Sequence, residues 1–297
     1  MHFALLGLTA ETSLHPGTGR RTGVIDLPIM REAHTHWPCI YGSAVKGAMR
    51  SQARRMGKDW ITDVFGPDTD RAHEHAGALA VGDARLLLLP VRSLSSHFKW
   101  VTCPDLLRRA ASDARRLGLK AIDLGPAHAR IKDDQVLMPA ASGAAPAQQL
   151  FLEEFGFQIQ RTDLSALLGW LSSFGSEPKG FEEWLKDQLA IVSDDMFAHL
   201  ATHATPVTPH IAIEHDRKVV KDGALWYEET LPPETVLYVT LAAHPSRRAD
   251  SRSGSDLVLR QTLELFPADR PYLQVGGNET VGMGWCRVST VQSNLEG

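Results

Sequence analysis

Asp26 stands in Gly23-Val24-Ile25-Asp26-Leu27-Pro28, an apolar setting inside a loop rich in Gly, Pro and Arg. A carboxylate so placed can accept a proton or help hold a divalent cation. An aspartate before Leu-Pro is equally suited to capping a turn, and the local residues leave the two readings level. His15, earlier in the same loop, reads as a second acid–base group or as a residue that orients the loop.

After the loop, Lys46, Arg50 and Arg54 recur every fourth residue and so fall on one helical face. Val45, Met49 and Ala53 form an adjoining stripe that can face a core. The helix opens on Gly42-Ser43, with Ser43 the expected N-cap and the free N–H groups an anion site. From His15 to Lys58 eight Lys/Arg, Arg20 and Arg21 among them, meet two acids, while the whole chain carries −4. That concentration beside glycines and a helix start points to phosphate; the plainer reading is a solvated charged face. A chain acidic overall is no indiscriminate nucleic-acid binder, but it has room for one basic groove.

A second glycine-rich stretch, Gly276-Gly277-Asn278-Glu279-Thr280-Val281-Gly282-Met283-Gly284, would let a backbone approach a phosphodiester closely. Alone it is a weak signal. His34-x-His36 and His73-x-His75 have metal-like spacing but lack nearby Cys or Asp partners, so they read as solvated or adjacent to a bound phosphate chain.

Several elements must hold these residues. Residues 3–9 read as a buried strand, 43–56 as the cationic helix closed by Gly57, and 77–83 with 85–91 as a second strand region. Residues 101–117 read as a helix with Pro104 in its first turn, 139–149 as a surface loop, and 150–160 as one strand. Helices are expected near Asp163, near Gly180 and after Ser193, with Leu164, Leu167, Leu168, Leu171, Trp184, Leu185 and Leu189 as core. Residues 210–230 read as a hairpin turning at Lys221-Asp222-Gly223, with a basic tip (Arg217, Lys218, Lys221) and Trp226 in the core. Tyr227, Glu228 and Glu229 stand at its base, either positioning a ligand near Asp26 or pairing across strands. A strand over 236–242, a helix near 255–266 and a strand over 285–291 close the chain. Strands and helices without a regular βα rhythm make this α+β.

The 297 residues are 43% hydrophobic and 22% charged, enough to bury a sizeable core as a single domain, 1–297. Cys39, Cys103 and Cys286 are scattered, without any CxxC, which fits a reducing cytoplasm and argues against a zinc ribbon. The N-terminal apolar run is too short for a signal peptide, and no stretch approaches membrane-span length, so no membrane partner is expected.

The blocks HPGTGRRTGVIDLPIMRE, YGSAVKGAMR, FGPD, GALAVGDARLLLLPVRS with KWVTCP, GALWYEETLPPET and VGGNETVGMGW, in this order, run through most of the chain. Together they resemble the backbone RAMP subunit of type III-B (Cmr) CRISPR effector complexes. The glycine loop and the GSxxKG helix are shared across RAMP proteins; the DLP block and the GALWYEE block are specific to this subunit.

The resemblance implies an RRM-like (ferredoxin-like) palm with an inserted loop over 14–41 and a β-hairpin thumb over 207–230. It implies copies of the chain in a helical filament along a guide RNA, with other Cmr subunits. Each thumb would displace a base pair of the guide–target duplex, and Asp26 would cut the target RNA there. Lys46 corresponds to the lysine on guide phosphate. Gly42, Ser43, Arg50, Arg54, Arg20, Arg21, Gly276, Gly277, Gly282, Gly284, Lys218, Tyr227 and Glu228 are expected on RNA. Met30, Tyr41 and Ala44 depart from the family pattern, Ala44 by removing a hydroxyl from the guide-binding turn, and none touches Asp26. Cleavage would have the 2′-hydroxyl attack the adjacent phosphate, aided by Asp26, by His15, or by a divalent metal (Mg or Mn) held on Asp26. A binding-only scaffold, and a stand-alone RAMP endonuclease processing guide precursor, are the competing readings.

Overall fold

The computed structural model describes residues 1–120, 122–140, 147–175 and 178–295. Its first half contains β1 (His2–Ala10), β2 (Cys39–Ile40), α1 (Gly42–Arg55), α2 (Ile61–Phe65), β3 (Leu79–Val81), β4 (Ala84–Arg92), β5 (Phe98–Thr102), α3 (Pro104–Arg116) and β6 (Gln135–Pro139). Then come β7 (Gln149–Leu152), β8 (Phe155–Thr162), α4 (Ser165–Ser172), α5 (Pro178–Gln188), β9 (Leu189–Ile191) and α6 (Asp194–His203). The hairpin β10 (Val207–Ile213) and β11 (Val220–Glu229) follows, then β12 (Val236–Ala243), α7 (Ser255–Leu263), β13 (Tyr272–Gln274) and β14 (Trp285–Ser293).

Twelve of these strands make one mixed sheet in the order β13-β14-β1-β12-β4-β5-β9-β6-β8-β7, with β2 on β4 and β3 on β12. Its heart is the antiparallel run β14-β1-β12-β4, with α1 between β1 and β4 in sequence and α7 between β12 and β14. Side chains alternate across a strand, so β1 feeds both faces. Ala4, Leu6 and Leu8 join one core with Val45, Met49 and Ala53 of α1 and Val258 and Leu259 of α7. Leu5 joins the other with Leu107 and Ala110 of α3 and Leu167 and Leu171 of α4. Both faces of the central strands are thereby covered, so a polar ligand has to be met by loops, helix surfaces or the separate β10–β11 ribbon.

Several expectations need correction. The helix begins at Pro104, not Val101: Val101 and Thr102 pair with Leu89, Ala190 and Ile191 inside the sheet. Residues 150–160 are two strands folded at Glu153, whose φ of 51° breaks the extended run. Lys221-Asp222-Gly223 is not the hairpin turn. These residues belong to β11, where Ile211 pairs with Leu225 but Ile213 with Val220, so the bulge absorbs them and the chain reverses at 214–219. Gly223, with φ of 71°, supplies the left-handed residue of that bulge rather than of a turn. Trp184 is 62% exposed, and Trp226 stacks on His210 at 5.6 Å within the ribbon, so neither is core. Of the loop expected at 139–149, residues 141–146 lie outside the described residues, and Pro139 and Gln149 are strand ends. Among the described residues, no helix is long and apolar enough to cross a membrane.

Candidate functional site

The loop 14–41 runs from the end of β1 to α1 and is stitched to the root of the β10–β11 ribbon. Leu14 exchanges backbone hydrogen bonds with Leu231, and the Leu27 N–H donates to the Tyr227 carbonyl at 3.0 Å. The Glu229 N–H returns to the Leu27 carbonyl, also at 3.0 Å. Asp26 therefore lies beside the last turn of the ribbon, where its Oδ2 accepts the Tyr227 N–H at 2.9 Å. Its other oxygen has no protein partner among the described hydrogen bonds, and the residue is half-exposed. The Arg21 N–H donates to the Asp26 carbonyl at 2.9 Å, closing the exposed segment that carries Arg20 and Arg21.

Beneath Asp26 is a buried polar network. Glu229, 3% exposed, accepts from Arg31 Nη2 at 2.5 Å, Thr205 Oγ1 at 2.7 Å and the Ile29 N–H at 3.0 Å. Glu228, 4% exposed, accepts from the Asn278 amide and lies 3.7 Å from His15 Nδ1. His15 is itself buried and its Nδ1 donates to the Glu229 carbonyl at 2.7 Å. A carboxylate off water needs such partners, since an unpaired one costs several kcal/mol. Among the described residues no hydrogen bond joins His15 to Asp26. Glu228 is buried and lies cross-strand from Thr208. Tyr227, 41% exposed, stays on the surface beside Asp26, and Lys218 is exposed at the far tip.

The glycine loop docks on the same stretch. The Gly277 N–H donates to the His15 carbonyl and the Gly284 N–H to the Ser13 carbonyl, each at 2.9 Å. A Cβ on Gly276, at φ 89°, would lie 2.6 Å from the His15 oxygen, so this glycine is required for packing loop on loop. At Gly282 a Cβ would meet nothing within 4 Å, leaving that position open to solvent.

The start of α1 differs from expectation. Ser43 is not the N-cap; Tyr41 is, without a side-chain bond, and Ser43 lies exposed inside the first turn. Asp83 Oδ1 accepts the Gly42 N–H at 2.7 Å, so a carboxylate from the β3–β4 turn already occupies the helix end. Gly42 is needed because a Cβ there would approach the Val81 carbonyl to 2.4 Å. The cationic face is also partly neutralised: Arg50 and Arg54 both pair with Asp68. Lys46 is half-buried and its Nζ donates to the Leu79 carbonyl at 2.8 Å. Between α1, the loop and the glycine stretch lies a cleft of about 440 Å³ lined by Pro16, Ala44, Ser51, Arg55, Gly276 and Glu279.

Sequence reasoning passed over Arg31, Thr205, Asn278, Asp68 and Asp83. It also passed over the clamp at the loop's far end, where Arg109 of α3 holds Glu32 with two bonds of 2.5 and 2.9 Å and lies over the Trp37 ring at 5.2 Å. Burial pushes the Glu32 carboxyl up, but hydrogen bonds from Arg109 and Thr35 and the Arg109 charge outweigh it, leaving it below its ordinary 4.5. A carboxylate lowered in the folded state stabilises above its unfolded value and loses that contribution as pH falls through the folded one. Thermal midpoints of Glu32→Gln should therefore fall less steeply than wild type below about pH 4.5. Parallel curves would remove the clamp from the acid response.

Among the described residues no three His, Cys, Asp or Glu side chains gather as a metal-holding group. His34, its side chain 76% exposed, has only Glu32 at 3.9 Å. A cation at Asp26 would have one protein carboxylate, a donor set that fits hydrated Mg²⁺ shared with a substrate phosphate and no resident ion.

The family model described as RAMP superfamily matches residues 7–287, and the chain belongs to that superfamily. Within it, the chain is similar to the Pyrococcus furiosus protein named CRISPR system Cmr endoribonuclease Cmr4, with 35% identity covering 96% of this chain and 94% of that protein. The crystal structure of oligomeric Cmr4 from Pyrococcus furiosus aligns with a TM-score of 0.73 at 29% identity, covering 97% of each chain. A cryo-EM structure of type III-B Cmr-beta bound to cognate target RNA shares the fold, with a TM-score of 0.76 at 22% identity over 97% of each chain.

Proposed function

We propose that the chain is a repeated backbone subunit of a type III-B CRISPR effector complex, binding guide RNA and cutting complementary target RNA through Asp26. One observation carries the reading: the Asp26 carboxylate is held by the Tyr227 N–H at the root of a ribbon that buries little of its own apolar surface. Ile211, Ile213 and Leu225 are 48%, 59% and 52% exposed on that ribbon. Outward apolar side chains on a two-stranded ribbon suit a wedge between stacked bases better than a free surface. The four strands β14-β1-β12-β4 with α1 and α7 are the RRM-like palm in this reading, and the ribbon is its thumb. Copies of the chain then stack in a filament in the cytoplasm, with other Cmr subunits, and cut at regular intervals.

An A-form helix keeps the 2′-oxygen out of line with the leaving oxygen, so displacing a base pair is what permits attack. The 2′-oxygen bonds to phosphorus as Asp26 accepts its proton, the P–O5′ bond breaks, and the departing oxygen is protonated from solvent. The products are a 2′,3′-cyclic phosphate and a 5′-hydroxyl. Asp26 would be the residue to hold a hydrated Mg²⁺ or Mn²⁺, and the charge supplied there would polarise the phosphoryl oxygens. His15, being buried, is not free to protonate the leaving group, which also counts against a stand-alone, histidine-based processing enzyme.

The test is cleavage of labelled complementary RNA by the reconstituted complex, with Mg²⁺ and with EDTA, followed by end-group analysis. Cyclic phosphate ends that disappear with EDTA are expected. Linear 3′-hydroxyl ends would overturn the 2′-hydroxyl mechanism, and undiminished cutting in EDTA would remove the metal.

A further inference from the structure

α5 carries a tryptophan on its outer face. Trp184 is 62% exposed, yet its ring is held: it stacks on Trp100 at 6.2 Å with the planes 27° apart. Trp100 is buried, with its Nε1 donating to the Glu234 carbonyl at 2.8 Å. Phe98 and Phe181 meet Trp100 edge-on at 5.2 and 4.9 Å. The Trp184 indole thus rests on a rigid aromatic base and offers the rest of its surface outward. An aromatic side chain already ordered loses little entropy when a partner covers it, and tryptophan is a frequent interface anchor. Acidic groups flank it. Glu182 and Glu183 share Lys186 at 4.0 and 2.6 Å, and Asp187, exposed three residues after Trp184, joins no described ion pair.

A complementary feature lies where the last turn of α1 meets β13. A pocket of about 330 Å³ has Met56, Pro267, Tyr272 and Trp285 among its walls, with Arg55 and Arg270 as its charged members. Gln52 fixes its shape, Nε2 donating to the Leu265 and Tyr272 carbonyls at 2.8 and 2.9 Å. None of its lining residues among the described ones is acidic. Arg55 reaches only Glu279, at 3.9 Å, and Arg270, exposed, joins no described ion pair. Aromatic walls, a thioether and guanidinium groups all interact favourably with an indole ring. The arginines also complement the acidic flank of α5 in sign.

The two features cannot meet within one molecule. The pocket borders the edge strand β13 on the side of the sheet covered by α1. α5 packs on β5 and β9, beginning five strands along, with Leu185 in the core of the opposite face.

We propose that Trp184 of one copy inserts into the α1–β13 pocket of the next, with the acidic flank of α5 against Arg55 and Arg270. Two different patches make this contact heterologous, and such a contact propagates into an open filament unless its rotation closes a ring. The inference rests on the backbone function proposed above and supplies residues that join its copies.

The test follows the mass of the full chain by analytical ultracentrifugation over a concentration series, with and without guide RNA, for wild type, Trp184→Ala and Arg270→Glu. Wild type should grow in mass with concentration. Each variant alone should need roughly 30-fold more protein to associate, the loss expected of one interface anchor. Mixed in equal amounts, the variants should form a heterodimer and stop there. One intact tryptophan then meets one intact pocket, and neither feature is left to continue the chain. Because Arg270 is exposed, Arg270→Glu should keep the wild-type thermal midpoint, and it decides the matter even where Trp184→Ala unfolds. Unchanged association in Arg270→Glu, a mixture that grows beyond a dimer, or wild type that binds guide RNA as a monomer would overturn the contact and leave RNA binding intact. Loss of guide-RNA binding in Arg270→Glu with association unchanged would give the pocket to a nucleotide and overturn the contact too. Wild type that neither associates nor binds guide RNA would overturn the function itself, and the contact with it.

Discussion

Asp26→Asn is expected to slow target cleavage by the assembled complex by about 10²–10⁴-fold, the usual contribution of a positioned acid–base group, while target affinity stays within about twofold. The separation of the two effects follows from the geometry. Asparagine has the same shape, and its amide oxygen can still accept the Tyr227 N–H that Asp26 Oδ2 accepts at 2.9 Å. The ribbon root therefore keeps its form. What disappears is the negative charge and the basicity of an oxygen that has no partner among the described residues. Asp26 is half-exposed and makes no ion pair among the described residues, so stability should move by no more than about 0.5 kcal/mol. Binding lost together with cleavage would mean that the residue builds the loop. Cleavage retained would mean that it caps a turn, the reading its local sequence leaves open.

Glu229→Ala should destabilise the chain by about 3–5 kcal/mol, the range for removing one partner of a buried ion pair. The side chain ties the ribbon root to two segments distant in sequence: the loop, through Arg31 and the Ile29 N–H, and Thr205 after α6. Without it, Arg31 keeps the His36 and Ala201 carbonyls, each at 2.8 Å, and the Thr205 hydroxyl at 3.3 Å, with no anion to balance a largely desolvated cation. The loop that carries Asp26 should loosen, so protease cuts near Arg20 and Arg21 should accelerate and cleavage of target RNA should fall. Denaturant midpoints of Glu229→Ala, Arg31→Ala and the double variant measure the coupling. Additive losses would show that the pair does not act as a unit, and a loss below about 1 kcal/mol would mean that backbone bonds alone hold the loop.

The parts that were legible in the sequence are those carried by local pattern. β1, the α1 helix with its Val45, Met49 and Ala53 stripe, α7 and β12 all fall where hydrophobic period places them. Both ribbon arms were legible too, but not the reversal. Lys-Asp-Gly is a strong turn signal, yet the glycine's left-handed backbone serves a bulge equally well, and nothing local separates the two. β6 and β9 escaped because five and three residues in mid-sheet show no alternation to read. The ribbon site divides in the same way. Asp26, Tyr227 and Glu228 stand in blocks that resemble the family, whereas the partners of the buried carboxylates are set by tertiary approach, as with Asn278 on Glu228 some fifty residues away. Asp83 on the end of α1 is the plainest case, because no helix-start signal shows that a remote carboxylate fills the anion site.

The most direct test of the central claim is a mixing experiment. Complexes would be reconstituted with guide RNA, end-labelled complementary RNA and wild-type and Asp26→Asn chains in known ratios, and every cut mapped to the nucleotide. If each copy cuts at its own position with its own Asp26, every band should weaken in proportion to the mutant fraction, without shifting, and vanish when all copies are mutant. A ladder that keeps its full intensity with all copies mutant would place the cleaving group in another subunit and leave this chain as the scaffold that presents the RNA.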